Sequence, residues 1–368
     1  MKKTNPFIKK QWIGIVATSM APSKIGGAQI QTKNLSKQLA NKYPTAVFLK
    51  RFKNEPKHEI IDKAHIYRCY FKDMRILRPL NFLFHIISTL INIYRSRKKI
   101  KILICMMLVP NGLIGILAKA LFGIPSVAWV RGGDWYLPPT RLTHFLVKMV
   151  IKYSDTILVQ SEGTRDSVLS KYPDCNIHII PNGIDFKTPG SSNETILFVG
   201  NLIPRKGAEI LIKAMSEIPQ ETLTIVGDGS ESVKLKELAK GTNTVFVGQV
   251  PPKNVEFWLH RAKMLVLPSI IGEGFPNVLL EAMATGVPVI ASNTTGGITD
   301  LITNNKNGLI VIPGNPKELK NAILYLLENP SLRERLAQEG IKTAQSYSWD
   351  KIIIKLELII DRIAINDN

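Results

Sequence analysis

Pro181-Asn182-Gly183-Ile184-Asp185, followed by polar residues to Asn193 and then by the run Thr195-Ile196-Leu197-Phe198-Val199, decides how this sequence is read. A Pro-Asn-Gly turn continues neither a helix nor a central strand, so it breaks the chain. Beyond the break the pattern of strands and helices starts afresh. Strands are expected at 195–199, 222–226, 244–247, 264–267 and 287–291. Helices are expected at 208–216, 231–238, 278–284, 316–328 and 331–346. Before the break, strands are expected at 12–17, 46–51, 66–71, 102–109, 126–130, 156–160 and 177–180, with helices at 29–42 and 113–121. Strands separated by helices indicate parallel, doubly wound sheets. The fold class is therefore α/β, with two Rossmann-like domains facing across a cleft: 1–186 and 187–348. Ligands of such sheets sit beyond the carboxyl ends of the strands, so the site is expected in strand-to-helix loops.

Bulk properties agree with this division. A chain of 368 residues is long for one core and suits two α/β domains. Its three cysteines (Cys69, Cys105, Cys175) form no CxxC pair and no metal-ligand spacing with the six histidines, which argues against a disulfide framework or zinc site and for a reducing cytoplasm. The basic segment 1–10 is followed by a strand, not by a small-residue cleavage site. The apolar stretch 102–130 is interrupted by Pro110-Asn111-Gly112, Lys119 and Gly123-Ile124-Pro125, so it reads as buried strand, helix and strand. The net charge of +19 is one-sided. Residues 1–185 hold 29 Lys and Arg against 10 Asp and Glu, and residues 186–368 hold 19 of each. A basic half suits an anionic lipid, nucleic acid or anionic substrate. No nucleic-acid motif or interleaved aromatic and basic surface accompanies it, so no nucleic-acid partner is expected.

Three loops carry candidate chemistry. Gly26-Gly27 precedes the first long helix, where glycines let backbone N–H groups approach a phosphate. Gly200-Asn201-Leu202-Ile203-Pro204-Arg205-Lys206-Gly207 sets two cations ahead of a helix, Arg for paired hydrogen bonds and Lys as a point charge. The third is Pro268-Ser269-Ile270-Ile271-Gly272-Glu273-Gly274-Phe275-Pro276-Asn277-Val278-Leu279-Leu280-Glu281-Ala282-Met283-Ala284. It places Glu273 in a loop and Glu281 one turn inside a helix, on the face of Asn277. A carboxylate between hydrophobic runs needs a partner or the hydroxyls of a ligand, and a sugar or ribose diol supplies two. Gly227, Gly248 with Val250, and Gly296-Gly297 come after further strands and could border a nucleobase or be plain turns. Paired carboxylates also serve glycoside hydrolysis, although a helix-bound Glu281 suits that less.

In this order and spacing the motifs resemble the GT-B glycosyltransferases, specifically glycosyltransferase family 4. The resemblance is strongest from Thr195 to Val311 and adds Asn182-Gly183-Ile184-Asp185, Val226-Gly227-Asp228-Gly229 and Gly286-Val287-Pro288 to these loops. It implies a retaining enzyme without a metal cofactor, acting on a nucleotide-diphosphate sugar (UDP- or GDP-). Lys206 resembles the lysine on the donor diphosphate, with Gly26, Gly27, Asn277 and Val278 beside it. Glu273 resembles the residue on the sugar hydroxyls, with Gly274, Phe275 and Pro276 lending backbone groups. Glu281 resembles the ribose-binding glutamate. It also implies that 349–368 is a helix returning to the first domain. Two positions depart from the family pattern. Asn201 stands directly after Gly200 where an arginine is common, leaving Arg205 to supply charge. Arg131-Gly132-Gly133-Asp134 stands where many members carry a histidine; Arg131 and Asp134 are open to a sugar or acceptor contact or to a loop-stabilising pair.

The basic and apolar segment 71–102, with Arg75, Arg78, Arg95, Arg97, Lys98, Lys99 and Lys101 around 80–93, suits a helix lying on an anionic membrane surface. The expectation is a cytoplasmic enzyme, peripheral at the inner face of the membrane, with a lipid-linked or cell-surface glycan acceptor. A sugar-nucleotide epimerase and a catalytically silent scaffold homologue are the alternatives.

Overall fold

The computed structural model describes the chain except for residues 1–10, 24–25, 53, 71–77, 137–139, 187, 191 and 367–368. The basic N-terminal segment and Arg75 thus lie outside the described residues. The chain forms two compact units. The first comprises Met1–Gln160, Arg165–Pro181 and Asp350–Asn368; the second comprises Ser161–Thr164 and Asn182–Trp349. The division falls after Pro181, inside the turn that the sequence marks.

The first unit is built on β1 (Trp12–Val16), β2 (Thr45–Lys50), β3 (His58–Ile61), β4 (Ala64–Cys69), β5 (Ile100–Met106), β6 (Ser126–Trp129), β7 (Thr156–Val159) and β8 (Ile177–Ile179). Their order is β3-β4-β2-β1-β5-β6-β7-β8. β1, β2, β5, β6 and β7 are almost continuously buried, as strands covered on both faces must be. β3 is a departure from the expected all-parallel sheet: it pairs antiparallel with β4. Its half-exposed edge position lets it carry His58 and Glu59, so it gives no apolar run to read. β4 ends at Cys69 rather than at 71.

The helix Arg78–Ser96 buries Ile86 and Ile93 in the same cluster as Phe48 and Cys69. The helix Trp349–Asn366 belongs largely to this unit, with Ile352, Ile353, Leu356 and Ile360 buried. Glu357 on it accepts from Tyr43 Oη (3.1 Å) and pairs with Lys42 Nζ (3.0 Å).

The second unit has six parallel strands, β9 (Thr195–Val199), β10 (Leu223–Val226), β11 (Thr244–Gly248), β12 (Ala262–Leu267), β13 (Val289–Ser292) and β14 (Leu309–Val311), in the order β11-β10-β9-β12-β13-β14. β14, three residues at the sheet edge, is too short to stand out in the sequence. In each unit the strand order reverses at one place: between β1 and β5, and between β9 and β12. Open α/β sheets bind ligands at such switch points, beyond the strand ends.

His85, in the helix Arg78–Ser96, is 4% exposed, and neither ring nitrogen has a hydrogen-bond partner among the described residues. Burial, helped by the nearby Lys50 charge, lowers its pKa to about 4. The unfolded chain therefore takes up this proton first, and stability falls as pH drops from about 6.5 to about 4, by roughly 3 kcal/mol at most. Urea unfolding of His85→Leu across that window should show a shallower pH dependence than the parent; parallel curves would contradict this.

Candidate functional site

Three loops of the second unit converge at its switch point. After β9, the Gly200 N–H donates to Val226 O (3.0 Å) and the Leu202 N–H to Asp228 O (3.0 Å), which ties this loop to the one after β10. Pro204–Lys206 forms a single 3-10 turn closed by Gly207 in the left-handed region. An added Cβ at Gly207 would stand 1.9 Å from Pro268 O, so only glycine lets this loop lie against the exit of β12. The Ile270 N–H then donates to Arg205 O (2.8 Å), fixing the two loops together.

Glu273 lies where they meet. Its Oε1 accepts from Lys206 Nζ (2.6 Å) and Ser269 Oγ (2.7 Å), and its Oε2 lies 3.7 Å from Arg205 Nη1. The Glu273 side chain is only 7% exposed. A carboxylate this deep is tolerated because it is paired and hydrogen-bonded. Taking away one partner of a buried pair costs about 3–5 kcal/mol, because the other charge is left uncompensated. The third loop holds the backbone: the Glu273 N–H donates to Thr295 O (3.1 Å), and Glu273 O accepts from the Gly297 N–H (2.9 Å).

The chain then passes through Gly274, Phe275 and Pro276, all buried, into the helix Asn277–Ala284. The Phe275 ring lies 5.4 Å from that of Tyr347, whose hydroxyl donates to Asp300 O (3.1 Å). Burial, with Asp300 nearby, pushes the Tyr347 hydroxyl up to about 12, so it stays protonated. The first N–H groups of a helix lack acceptors inside it and carry the positive end of its dipole. Asn277 and Val278 occupy that end. Asn182, 4% exposed, donates through Nδ2 to Asn277 Oδ1. Glu281 is half-buried one turn later, between the buried Leu280 and Ala282. Val250 comes just after β11, two strands from β9, and packs half-buried on the apolar cluster beneath.

The structure thus joins Arg205, Lys206 and Glu273 by direct contact, and Gly200, Gly274–Val278 and Glu281 through the same loops and helix. Ser269, Asn182 and Thr295 stand in these motifs or beside them but gained no role from the sequence. Ser269, directly after Pro268 and four residues before Glu273, was the most readable of the three.

Gly26, Gly27, Arg131 and Asp134 belong to the first unit. Gly26 is extended and precedes the helix Gly27–Ala40. Asp134 accepts from the backbone N–H of Arg131 through Oδ1 (2.8 Å) and from that of Leu108 through Oδ2 (2.8 Å). Both oxygens of Asp134 therefore hold the loops after β5 and β6, and burial raises its pKa. The Arg131 guanidinium lies over the Trp129 ring, 5.0 Å from its centre, and burial lowers its pKa to about 10 despite the opposing pull of Asp134. Among the described residues no group of three or more His, Cys, Asp or Glu could hold a metal ion.

Two such sheets, each with a switch point, in two compact units define the GT-B class. The family profile for glycosyltransferase family 4 matches residues 25–188, and that for glycosyl transferases group 1 matches 184–343. An uncharacterized glycosyltransferase of Haemophilus influenzae is 30% identical over 252 residues, 66% of this chain and 71% of its own length. Among solved structures, sucrose-phosphate synthase of Thermosynechococcus elongatus superposes with a TM-score of 0.83 at 21% identity, over 96% of this chain and 99% of its own. Anabaena HepE in complex with UDP superposes at 0.76 with 18% identity, over 96% and 100%. The chain belongs to the group 1, family 4 glycosyltransferases.

Gly296 adopts φ 112°, and an added Cβ would stand 1.8 Å from Glu273 O. Gly314 has φ 75° with open space around it. Gly314→Ala should cost only the backbone penalty of about 1 kcal/mol, whereas Gly296→Ala must also displace the Glu273 backbone and should cost ~2 kcal/mol more. Equal denaturant midpoints for the two variants would show that the 295–297 loop does not hold Glu273.

Proposed function

We propose that the second unit binds a nucleotide-diphosphate sugar, UDP- or GDP-linked, and that the enzyme transfers the sugar with retention of anomeric configuration to a lipid-linked or cell-surface glycan. The observation that carries this reading is the buried Glu273 carboxylate held by Lys206 and Ser269 just before the start of the helix Asn277–Ala284. Lys206, with Arg205, offers charge to the diphosphate, and the helix N-terminus at Asn277 and Val278 offers N–H donors to the same group. When the diphosphate draws on the Lys206 charge, sugar hydroxyls replace that partner at Glu273, with Gly274, Phe275 and Pro276 lending backbone groups. Glu281 takes the ribose hydroxyls, and Gly200 and Val250 border the base. Gly26 and Gly27 give the first unit a second backbone approach to phosphate.

These groups stabilise the charge that grows on the leaving diphosphate, the kind of preorganised electrostatics that lowers a barrier most. In front-face transfer the departing phosphate takes the acceptor proton. The bond from anomeric carbon to phosphate oxygen breaks and that to the acceptor oxygen forms on the same face. No side-chain base is then required.

The acceptor reading rests on the first unit. Between Asp73 and Asp155 the sequence has twelve Lys and Arg and a single acid, Asp134. Within this stretch the helix Arg78–Ser96 turns Leu83, Phe84, Ile87, Ile91 and Tyr94 to solvent, each 42–49% exposed. Apolar side chains flanked by an excess of cations suit the interface of an anionic bilayer. No helix of the described residues is long and apolar enough to cross one.

Thermal unfolding against UDP-, GDP-, ADP- and CMP-sugars tests the donor site. One nucleotide class should raise the midpoint, by the equivalent of about 2.7 kcal/mol at 100 times its dissociation constant. The rise should vanish in Glu281→Ala. No rise with any donor at millimolar concentration would contradict donor binding and favour a silent scaffold. For the surface, the chain should co-sediment with phosphatidylglycerol vesicles at low salt, and Phe84→Ser with Ile87→Ser should release it. A protein that stays in solution at low salt would overturn the membrane assignment.

A further inference from the structure

The first unit has a recess of its own at its switch point. The loop after β1 contributes Thr18 and Ser19, the loop after β5 contributes Met107, the first turns of the helix Gly27–Ala40 contribute Gln29 and Thr32, and Arg131 enters from the end of β6. Among the described residues its lining contains no acid. Arg131 Nε is buried with no hydrogen-bond acceptor among the described residues, and so is the indole N–H of Trp129, 2% exposed beneath the guanidinium. The nearby acid, Asp134, has both oxygens committed to backbone N–H groups. A half-buried cation whose buried Nε–H has no acceptor among the described residues is less favourable in the free protein than once an anion arrives. Met107 adds a second unfavourable feature at the same place, a non-glycine residue at φ 80°, ψ 150°. Such backbone persists where the surroundings impose it, and it clusters at ligand sites.

We propose that this recess is an anion subsite, in which Arg131 receives a carboxylate or phosphate oxygen of a substrate. The recess stands on the geometry of the first unit; only the claim that its anion belongs to a glycosyl donor or acceptor rests on the sugar-transfer reading.

The test is the arginine side-chain Nε–H spectrum of the intact chain, titrated with inorganic phosphate and with glucuronate at fixed ionic strength. The resonance that disappears in Arg131→Lys should shift saturably with at least one of the two. A resonance that stays still, or drifts without saturating, overturns the proposal. The thermal midpoint of Arg131→Gln without anion should equal or exceed that of the parent, and a fall would assign Arg131 to structure instead. Adding UDP separates the sources. If UDP moves the Arg131 resonance, the anion is the donor diphosphate; if UDP binds without moving it while phosphate or glucuronate does, the anion lies elsewhere on the substrates. If neither UDP nor GDP binds but phosphate still moves Arg131, the transfer reading fails and the subsite stands.

Discussion

The second unit is organised around one buried carboxylate. Glu273 pairs with Lys206 and accepts from Ser269, and a carboxylate at that depth is tolerated because it is paired and hydrogen-bonded. The loop after β9 has to come within reach of the exit of β12, which the backbone contact at Gly207 allows. The loop after β13 has to carry the Glu273 backbone, which the ladder at Thr295 and Gly297 does. Three strand exits at a switch point are thereby drawn to one place, and the chain leaves it directly into a helix whose N-terminus points its donors outward. A positive helix end, a lysine and a carboxylate that can exchange partners are the features on which the proposed donor site rests.

Much of this was legible in the sequence, and the reasons are local. Buried parallel strands read as apolar runs, so β1, β5, β6, β9, β10 and β12 were visible. The Pro181-Asn182-Gly183 break showed where one sheet ends and the next begins. The loop from Glu273 to Glu281 stood out because two carboxylates interrupt hydrophobic sequence. Contacts between distant parts of the chain gave no such signal. That Glu273 is paired with Lys206, sixty-odd residues away, is written in no local pattern. Nor is the donation from Asn182 to Asn277, two residues of the second unit far apart in the sequence. β3 was missed because an edge strand at the surface needs no apolar alternation, and β14 because three residues give no period.

Arg131 and Asp134 show the same limit in another form. The sequence presented them as a possible pair, of equal standing. The structure separates them: Asp134 closes two loops through backbone N–H groups, and Arg131 keeps a buried Nε without an acceptor among the described residues. The basic excess of the first half likewise becomes specific only in three dimensions, where it flanks exposed apolar side chains on the helix Arg78–Ser96. A net charge says that an anion is a fitting partner; only the placement of the charges says which surface meets it.

The central claim is that Lys206 serves the diphosphate and Glu273 the sugar. Calorimetric titration of a nucleoside diphosphate and of its sugar conjugate, into the parent chain, Lys206→Ala and Glu273→Gln, tests it most directly. Lys206→Ala should weaken both ligands alike, while Glu273→Gln should bind the diphosphate and lose the extra affinity conferred by the sugar. Parent-like affinity of both variants for both ligands would contradict it.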